Sequence, residues 1–429
     1  MEFEQAAGGT GRPGSRQRAS PPYFFGPWVV RSAFVLAFFG WGVGVYGPAI
    51  YLSEVLQRTG WPLTLVSSAL TVHYLAGAMV IAMLPRTYRR IGLPWATFLG
   101  AACMMTGAMG WALAAHPWQL FAGAALSGAG WVCLGSVAIN AIVSPWFDRG
   151  RPRALAAAYN GGSMGGVVFS PLWVALITAF GFAGAVGVVG AVTLLVTGLL
   201  ARLVFSRTPE NTGQRADGDV EPARLSAAST VAPGAVHAPL SRNRAFITLA
   251  AAMAISMFAQ MGLTAHLFNI LGPVLGAQNT GLLLGCSTAC AMLGRLAAAR
   301  AMSHVAERRK VGAASYAVQA AGAICLLLAG TEHIALIVIG VLLVGSGVGN
   351  SNTIPPLIAQ ADFASAQVAR VVALIIAISQ GSYAFAPAAF GMLQSMAAGT
   401  HGETPAVFFM AVAGLLLFAA ILLLIGRKQ

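Results

Sequence analysis

The residues with the most chemistry to offer in this chain are those that should be hardest to bury. Arg295 sits inside Gly281–Ser303, GLLLGCSTACAMLGRLAAARAMS, a run long and apolar enough to cross a bilayer as one helix. A guanidinium in hydrocarbon costs about 2.5–3.5 kcal/mol on insertion scales, so it needs a partner or a water-filled cavity. Its planar fork suits a carboxylate through two parallel hydrogen bonds. The competing reading is a snorkelling or structural arginine, because the position is about 12 Å from the end of the run at 1.5 Å per residue.

The other strongly polar side chains within apolar runs are His73, Asn140, Asn160, Gln260, His266, Asn269, Gln319, Asn350, Asn352 and Gln380. Tyr46 and Tyr383 add hydroxyls. Each is costly unless it faces a cavity or a partner. His73 and His266 can titrate near neutral pH and are candidates for proton coupling, with neutral packing histidines as the alternative. Asn269 follows His266 by three residues and Tyr383 follows Gln380 by three, so each pair shares a helix face. All 12 Asp and Glu fall at span ends, in loops or in tails. A buried carboxylate relay is therefore missing, and any coupled proton must ride on a histidine or on the substrate's own acid. Gly161-Gly162-Ser163-Met164-Gly165 fits the Gly-x-Ser-x-Gly pattern, but it lies within a spanning run and not on a strand–turn–helix. Close helix packing through small residues is the better reading. No phosphate-binding Gly-x-x-x-x-Gly-Lys-Ser/Thr occurs, so nothing supports ATP-driven pumping. The five cysteines all lie in apolar segments; neither a disulfide framework, a metal site nor a cofactor is expected.

The elements that must hold these residues are helices in lipid. Hydrophobic residues make up 57% of the chain and charged residues 9%, against about 25% charged in a soluble domain. Apolar runs at 28–52, 62–84, 94–115, 118–145, 154–178, 181–205, 245–271, 281–303, 311–330, 334–358, 370–393 and 405–426 predict twelve transmembrane helices. The fold class expected is an all-α polytopic membrane protein in two six-helix halves. The net charge of +13 does not point to nucleic acid, because the basic residues cluster between the runs. With both termini cytoplasmic, only Arg58 and Arg295 of the 25 Lys and Arg fall outside the cytoplasmic side. The domain plan is a disordered cytoplasmic tail (1–27, not a signal peptide), an N-terminal half (28–205), a flexible cytoplasmic linker (206–243) and a C-terminal half (244–429).

Ser144–Leu172, SPWFDRGRPRALAAAYNGGSMGGVVFSPL, has a Trp-Phe pair leaving span 4, a basic loop, and paired glycines in span 5. With FFGWGVGVYGPAIYLSEVLQRTGW in span 1 and LGRLAAAR in span 8, it resembles the major facilitator superfamily. The nearest branch in pattern is the monocarboxylate porters and their oxalate/formate-type relatives. The superfamily's acid in the loop after span 2 is missing from Pro85–Gly92, and Ser303 stands where the loop after span 8 would carry one. The lysines that some relatives place in spans 1 and 11 are also missing. The resemblance implies alternating access and a span 8 arginine that pairs with a substrate carboxylate, a role that would fall to Arg295. One fixed cation favours a monoanion. The expected protein is a secondary transporter of a small organic anion in a bacterial-type inner membrane, by proton symport or anion exchange. The candidate binding residues are Arg295, Tyr383, Gln380, His266, Asn269, Asn140, Asn160, Tyr46 and Asn350. The alternative is an exporter of drugs or toxic lipophilic compounds on the same fold.

Overall fold

The computed structural model describes residues 24–218, 240–304, 307–330, 332–351, 353–398 and 404–426. Residues 1–23 and 219–239, which hold most of the expected tail and much of the expected linker, lie outside the described residues, as does Asn352. Ten helices are long and apolar enough to cross a membrane. The longest, Arg151–Phe205, turns at Gly181, whose φ of 70° and ψ of 169° no helix contains, and so makes two crossings. Ile334–Val348 is short for a crossing, but Ile354–Asp362 continues it. Twelve crossings result, in two halves of six.

We number them α1 (Gly26–Thr59), α2 (Leu63–Ile91), α3 (Leu93–Leu113), α4 (Pro117–Trp146), α5 (151–180) and α6 (182–205). The second half holds α7 (Arg244–Leu275), α8 (Ala277–His304), α9 (Arg308–Ala329), α10 (Ile334–Val348 and Ile354–Asp362), α11 (Ser365–Tyr383 and Ala386–Ala398) and α12 (Thr404–Ile425). Packing follows one plan twice. In the first half α1 lies on α5, α2 on α4, and α3 on α4 and α6; in the second, α7 lies on α11, α8 on α10, and α9 on α10 and α12.

Lipid tails are as apolar as leucine, so helices in a bilayer gain little by hiding side chains from them; close backbone contact takes over. A Cβ on Gly128 of α4 would stand 1.9 Å from the His73 carbonyl oxygen of α2. One on Gly294 of α8 would stand 1.8 Å from the Ser346 carbonyl oxygen of α10. Neither position tolerates a side chain without parting the two helices.

Four crossings are not the straight helices that the apolar runs predict. In α1 a wide turn spans Gly42–Tyr46, and its carbonyls are taken by side chains. Trp173 Nε1 donates to Gly42 (3.2 Å), Tyr51 Oη to Val43 (3.4 Å) and His73 Nε2 to Gly44 (3.0 Å). α4 breaks at Gly135. α10 breaks between Val348 and Ile354, where Pro355 and Pro356 begin a new helix. α11 breaks at Ala384–Phe385, because Pro387 has no N–H to offer and its ring crowds the carbonyl four residues back. The next amide, Ala388 N–H, donates to Thr71 Oγ1 of α2 at 3.1 Å.

Arginines finish the two ends. At the end away from the basic loops, Arg58 donates to the carbonyls of Trp111, Ala112 and Ala114 and so caps α3. At the basic end, Arg309 is buried and pairs with Asp362 at 2.6 Å, tying α9 to α10. It also donates to Thr248 Oγ1 (3.0 Å) and the Ala245 carbonyl (2.7 Å) of α7. The described start of the linker is held to this end. Gln214 Oε1 accepts from Phe25 N–H at 2.9 Å, and the Asp217 carboxylate accepts from the backbone N–H groups of Asp148, Arg149 and Gly150 at 2.7–3.2 Å.

Replacing Gly294 by valine tests the backbone packing. Overpacking of this kind costs about 1–3 kcal/mol. Gly294→Val should therefore lower the thermal unfolding midpoint in detergent, and a midpoint equal to wild type would mean that α8 and α10 are not in backbone contact.

Candidate functional site

The two halves meet along three lines: α5 against α8, the start of α2 against the second piece of α11, and the Gly47–Thr59 part of α1 against α7. The α5–α8 line is the closest. A Cβ on Gly281 would stand 3.0 Å from the Ser170 carbonyl oxygen, and one on Gly285 would stand 2.7 Å from that of Val167. Further along α8, Thr288 packs against Gly166 beside Tyr46 of α1, and its hydroxyl donates to the Leu284 carbonyl at 3.0 Å. Arg295 comes last on this face, seven residues beyond Thr288 and so on the same side of the helix. Its Nη2 donates to Ser163 Oγ of α5, and its Nε points to the Ala291 carbonyl one turn back at 3.5 Å. The break in α10 brings the backbone of Gly349 against the same guanidinium; a Cβ there would lie 2.9 Å from Arg295 Nε. Among the described residues no carboxylate pairs with Arg295, which is half-buried.

Aromatic hydroxyls extend this centre. Tyr46 lies within electrostatic range of Arg295 on one side and of Tyr74 on the other. Tyr74 of α2 meets Tyr383 of α11 edge to face, ring centroids 5.7 Å apart. A chain of polar groups thus runs from Arg295 through Tyr46 and Tyr74 to Tyr383, crossing between the halves. Gln380, one turn from Tyr383, is half-buried. Asn160 is exposed on α5 one turn before Ser163, and Asn140 of α4 is exposed beside it, donating to Tyr159 Oη and, at 2.9 Å, to the Ser136 carbonyl.

Five of the other polar residues singled out in the sequence have other surroundings. His73 is fully buried within the first half, stacked on Trp131. The Gly44 carbonyl can only accept, so His73 Nε2 carries the hydrogen. Nδ1 lies 2.9 Å from Ser127 Oγ, which also donates to the Ala124 carbonyl at 3.0 Å and accepts from Trp111 Nε1 at 3.3 Å. The ring thus braces α2 to α1 through one nitrogen and to α4 through the other. His266 donates through Nε2 to the Pro387 carbonyl at 2.9 Å and packs edge to face on Phe408, and its buried Nδ1 has no partner among the described residues. Asn269 is half-buried one turn further along α7. Asn350 turns to α9, donating to Ser315 Oγ at 3.0 Å, and Gln260 accepts from Ser351 Oγ at 2.8 Å. Their structural partners are within the second half.

Ser163, Thr288 and Tyr74 were not among the residues that sequence reasoning selected. Serine and threonine are common in spanning helices, where their hydroxyls usually bond the preceding turn, so the type alone carries little signal. The legible clue for Ser163 was its spacing of three from Asn160.

A sequence profile of the Major Facilitator Superfamily matches residues 32–387. The chain belongs to that superfamily. Its members are transporters, and this one is a transporter, not an enzyme. None of the curated proteins matches it in sequence. Among solved structures, the superfamily fold recurs in a D-xylose–proton symporter, with TM-score 0.70 and 12% identity over 94% of this chain and 97% of that one. The nucleoside transporter NupG gives TM-score 0.68 and 11% identity over 94% and 99%. A bacterial homolog of the human lysosomal transporter Spinster, in an inward-facing and occupied conformation, gives 0.64 and 16% over 95% and 96%. At these identities the likeness is one of fold. It leaves the substrate to be argued from the site.

The bonding of His73 yields a prediction. His73→Leu removes the partner of the buried Gly44 carbonyl, at about 1–3 kcal/mol for the orphaned group, together with the contact to Ser127. The variant should unfold at lower temperature yet transport at the wild-type rate per folded molecule in reconstituted vesicles. Full stability with loss of proton-driven transport would instead make His73 a coupling group.

Proposed function

We propose that this transporter carries a small organic monoanion by alternating access, with Arg295 as the fixed cation that binds its carboxylate. The observation behind this reading is the position of Arg295. It is a guanidinium at the seam between the halves, beside backbone and hydroxyls and, among the described residues, paired with no acid. A lone cation held in a low-dielectric site attracts an anion far more strongly than it would in water. A carboxylate engages two of its N–H groups at once, which a hydroxyl cannot.

The segregation of arginine into the loops at one end supports assigning that end, and both termini, to the cytoplasm of a bacterial-type cell. On that assignment the halves are joined towards the outside and parted towards the cytoplasm, an inward-facing carrier. The coupling that fits best is anion exchange, or symport in which the proton travels on the substrate acid. The carboxylates in the described spans, Glu54 and Asp362, lie towards helix ends, and the hydrogen bonds of His73 and His266 fit structural roles. Tyr46, Tyr383, Gln380, Asn160 and Asn140 are assigned to the body of the substrate. His266, Asn269 and Asn350 are assigned to packing and take no part in binding.

The test is ligand-induced stabilisation of the purified protein by a panel of carboxylates, with wild type beside Arg295→Ala and Arg295→Lys. A ligand at a hundred times its Kd adds about 2.7 kcal/mol to apparent stability. Wild type should gain a clear upward shift with at least one monocarboxylate. Arg295→Ala should lose it, while its unliganded midpoint falls only by the loss of the Ser163 bond. Arg295→Lys keeps the charge but not the fork and should bind about tenfold more weakly, or ~1.4 kcal/mol. Stabilisation by lipophilic compounds alone, equal in all three proteins, would replace the anion reading with efflux.

A further inference from the structure

Ser163 stands in a run of small residues that lets α5 rest on α1. A Cβ on Gly161 would lie 2.0 Å from the Phe34 carbonyl oxygen, and one on Gly165 would lie 2.5 Å from that of Phe38. Those glycines account for packing, but Ser163 does something else. Elsewhere on the same helix Ser170 and Thr178 donate to the carbonyls of Gly166 and Val174 one turn back, at 2.7 and 2.9 Å. The Ser163 oxygen instead accepts from Arg295 Nη2, across the seam between the halves. Ser163 is buried, with 9% of its surface exposed. Its Oγ is the acceptor that the first half supplies to Arg295. On the α8 face made of Gly281, Gly285, Thr288 and Arg295, this contact is the one nearest the basic end, where the halves part.

A neutral hydroxyl is a weaker acceptor for a guanidinium than a carboxylate, which engages two N–H groups and brings a full charge. We propose that Ser163 is a place-holder for the substrate: in the empty carrier its Oγ occupies the Arg295 N–H that a bound carboxylate takes over. The proposal rests on the anion reading above. Binding then removes one bond between α5 and α8 at the inner limit of their contact. Ligand affinity and the balance between the two facings of the carrier become linked, because whatever weakens the α5–α8 bond in the empty state favours the anion. Ser163 is thus a positioning residue that acts through Arg295. A co-ligand would act in the opposite direction, losing affinity when truncated.

The experiment uses the full chain in detergent and in vesicles, with acetate, pyruvate and benzoate as probes. Kd is measured for wild type, Ser163→Ala and Ser163→Thr, and KM and maximal rate for self-exchange of the best-bound probe. Ser163→Ala should bind that probe three- to tenfold more tightly and show a lower KM with a maximal rate no higher than wild type. Ser163→Thr, which keeps the hydroxyl, should match wild type. In the unliganded protein, the midpoint losses of Ser163→Ala and Arg295→Ala should not add in the double variant, since both remove the same bond. If wild type binds a probe but Ser163→Ala binds it equally well, Ser163 only packs and the proposal falls. If Ser163→Ala binds more weakly, Ser163 is a direct ligand and the proposal falls. Additive midpoint losses overturn it without reference to any ligand. Failure of wild type to bind all three probes would overturn the anion reading itself.

Discussion

A cation without an acid, placed where two halves of a membrane protein touch, is the constraint around which this structure is arranged. The cost of holding Arg295 in the spans is not met by an ion pair, as it is for Arg309, whose guanidinium rests on Asp362 at 2.6 Å. A buried pair of that kind is closed: removing either partner strands the other. Arg295 has instead a hydroxyl, a distant carbonyl and the approach of a glycine backbone. The contrast between the two arginines separates a structural charge from one left available. Both lie on helices of the same half and near the same end, so position alone does not distinguish them. The partner does.

The glycines set how closely the rest can be drawn around that charge. Gly281 and Gly285 let α8 lie against the carbonyls of α5, while Gly349, at the break in α10, lets backbone reach the guanidinium. Gly294, next to Arg295 in sequence, fixes α8 on α10 and so fixes the direction from which the arginine leaves its helix. Two requirements meet in the Leu293-Gly294-Arg295 run: one residue must vanish into a neighbour and the next must project from it. A spanning helix built only from large apolar residues would satisfy neither.

Much of this was legible in the residues, because the membrane imposes rules that show locally. Twelve apolar runs and the confinement of arginine to alternate loops fixed the number of crossings, and the absence of carboxylates from the spans made Arg295 conspicuous. What was not legible depended on partners distant in sequence. The wide turn at Gly42–Tyr46 has its carbonyls satisfied by Trp173 and His73, which donate to them from 131 and 29 residues away. The break in α11 is completed by Thr71, 317 residues away from the amide it accepts. His73 looked like a titrating group because a histidine in an apolar run is rare. Ser127 and Gly44, which make it a brace, sit on two other helices. Arg309 looked like one more loop charge for the same reason, since its acid is 53 residues on.

The repeat between the halves shows how one half acquired the site. Gly128 meets His73 where α4 crosses α2, and Gly345 meets Ser287 where α10 crosses α8. These crossings are equivalent in the packing plan. Eight residues beyond Ser287 along α8 stands Arg295; eight beyond His73 along α2 stands Ile81. The scaffold is shared, but the charge is not. At the crossing itself the first half carries the histidine, which bonds α1 and α4 together, and the second half carries the smaller serine, whose hydroxyl donates to the Val341 carbonyl at 3.2 Å. At this crossing the first half uses its polar residue as an internal brace, and eight residues further along the second half places its cation at the edge facing the other half. For alternating access that division is useful. A body that must rock as a unit needs internal braces, while the groups that bind must lie at the boundary, where the two facings differ and a ligand can sense the difference. Arg295 satisfies the second condition only because Ser163 and Tyr46 approach it from the opposite half.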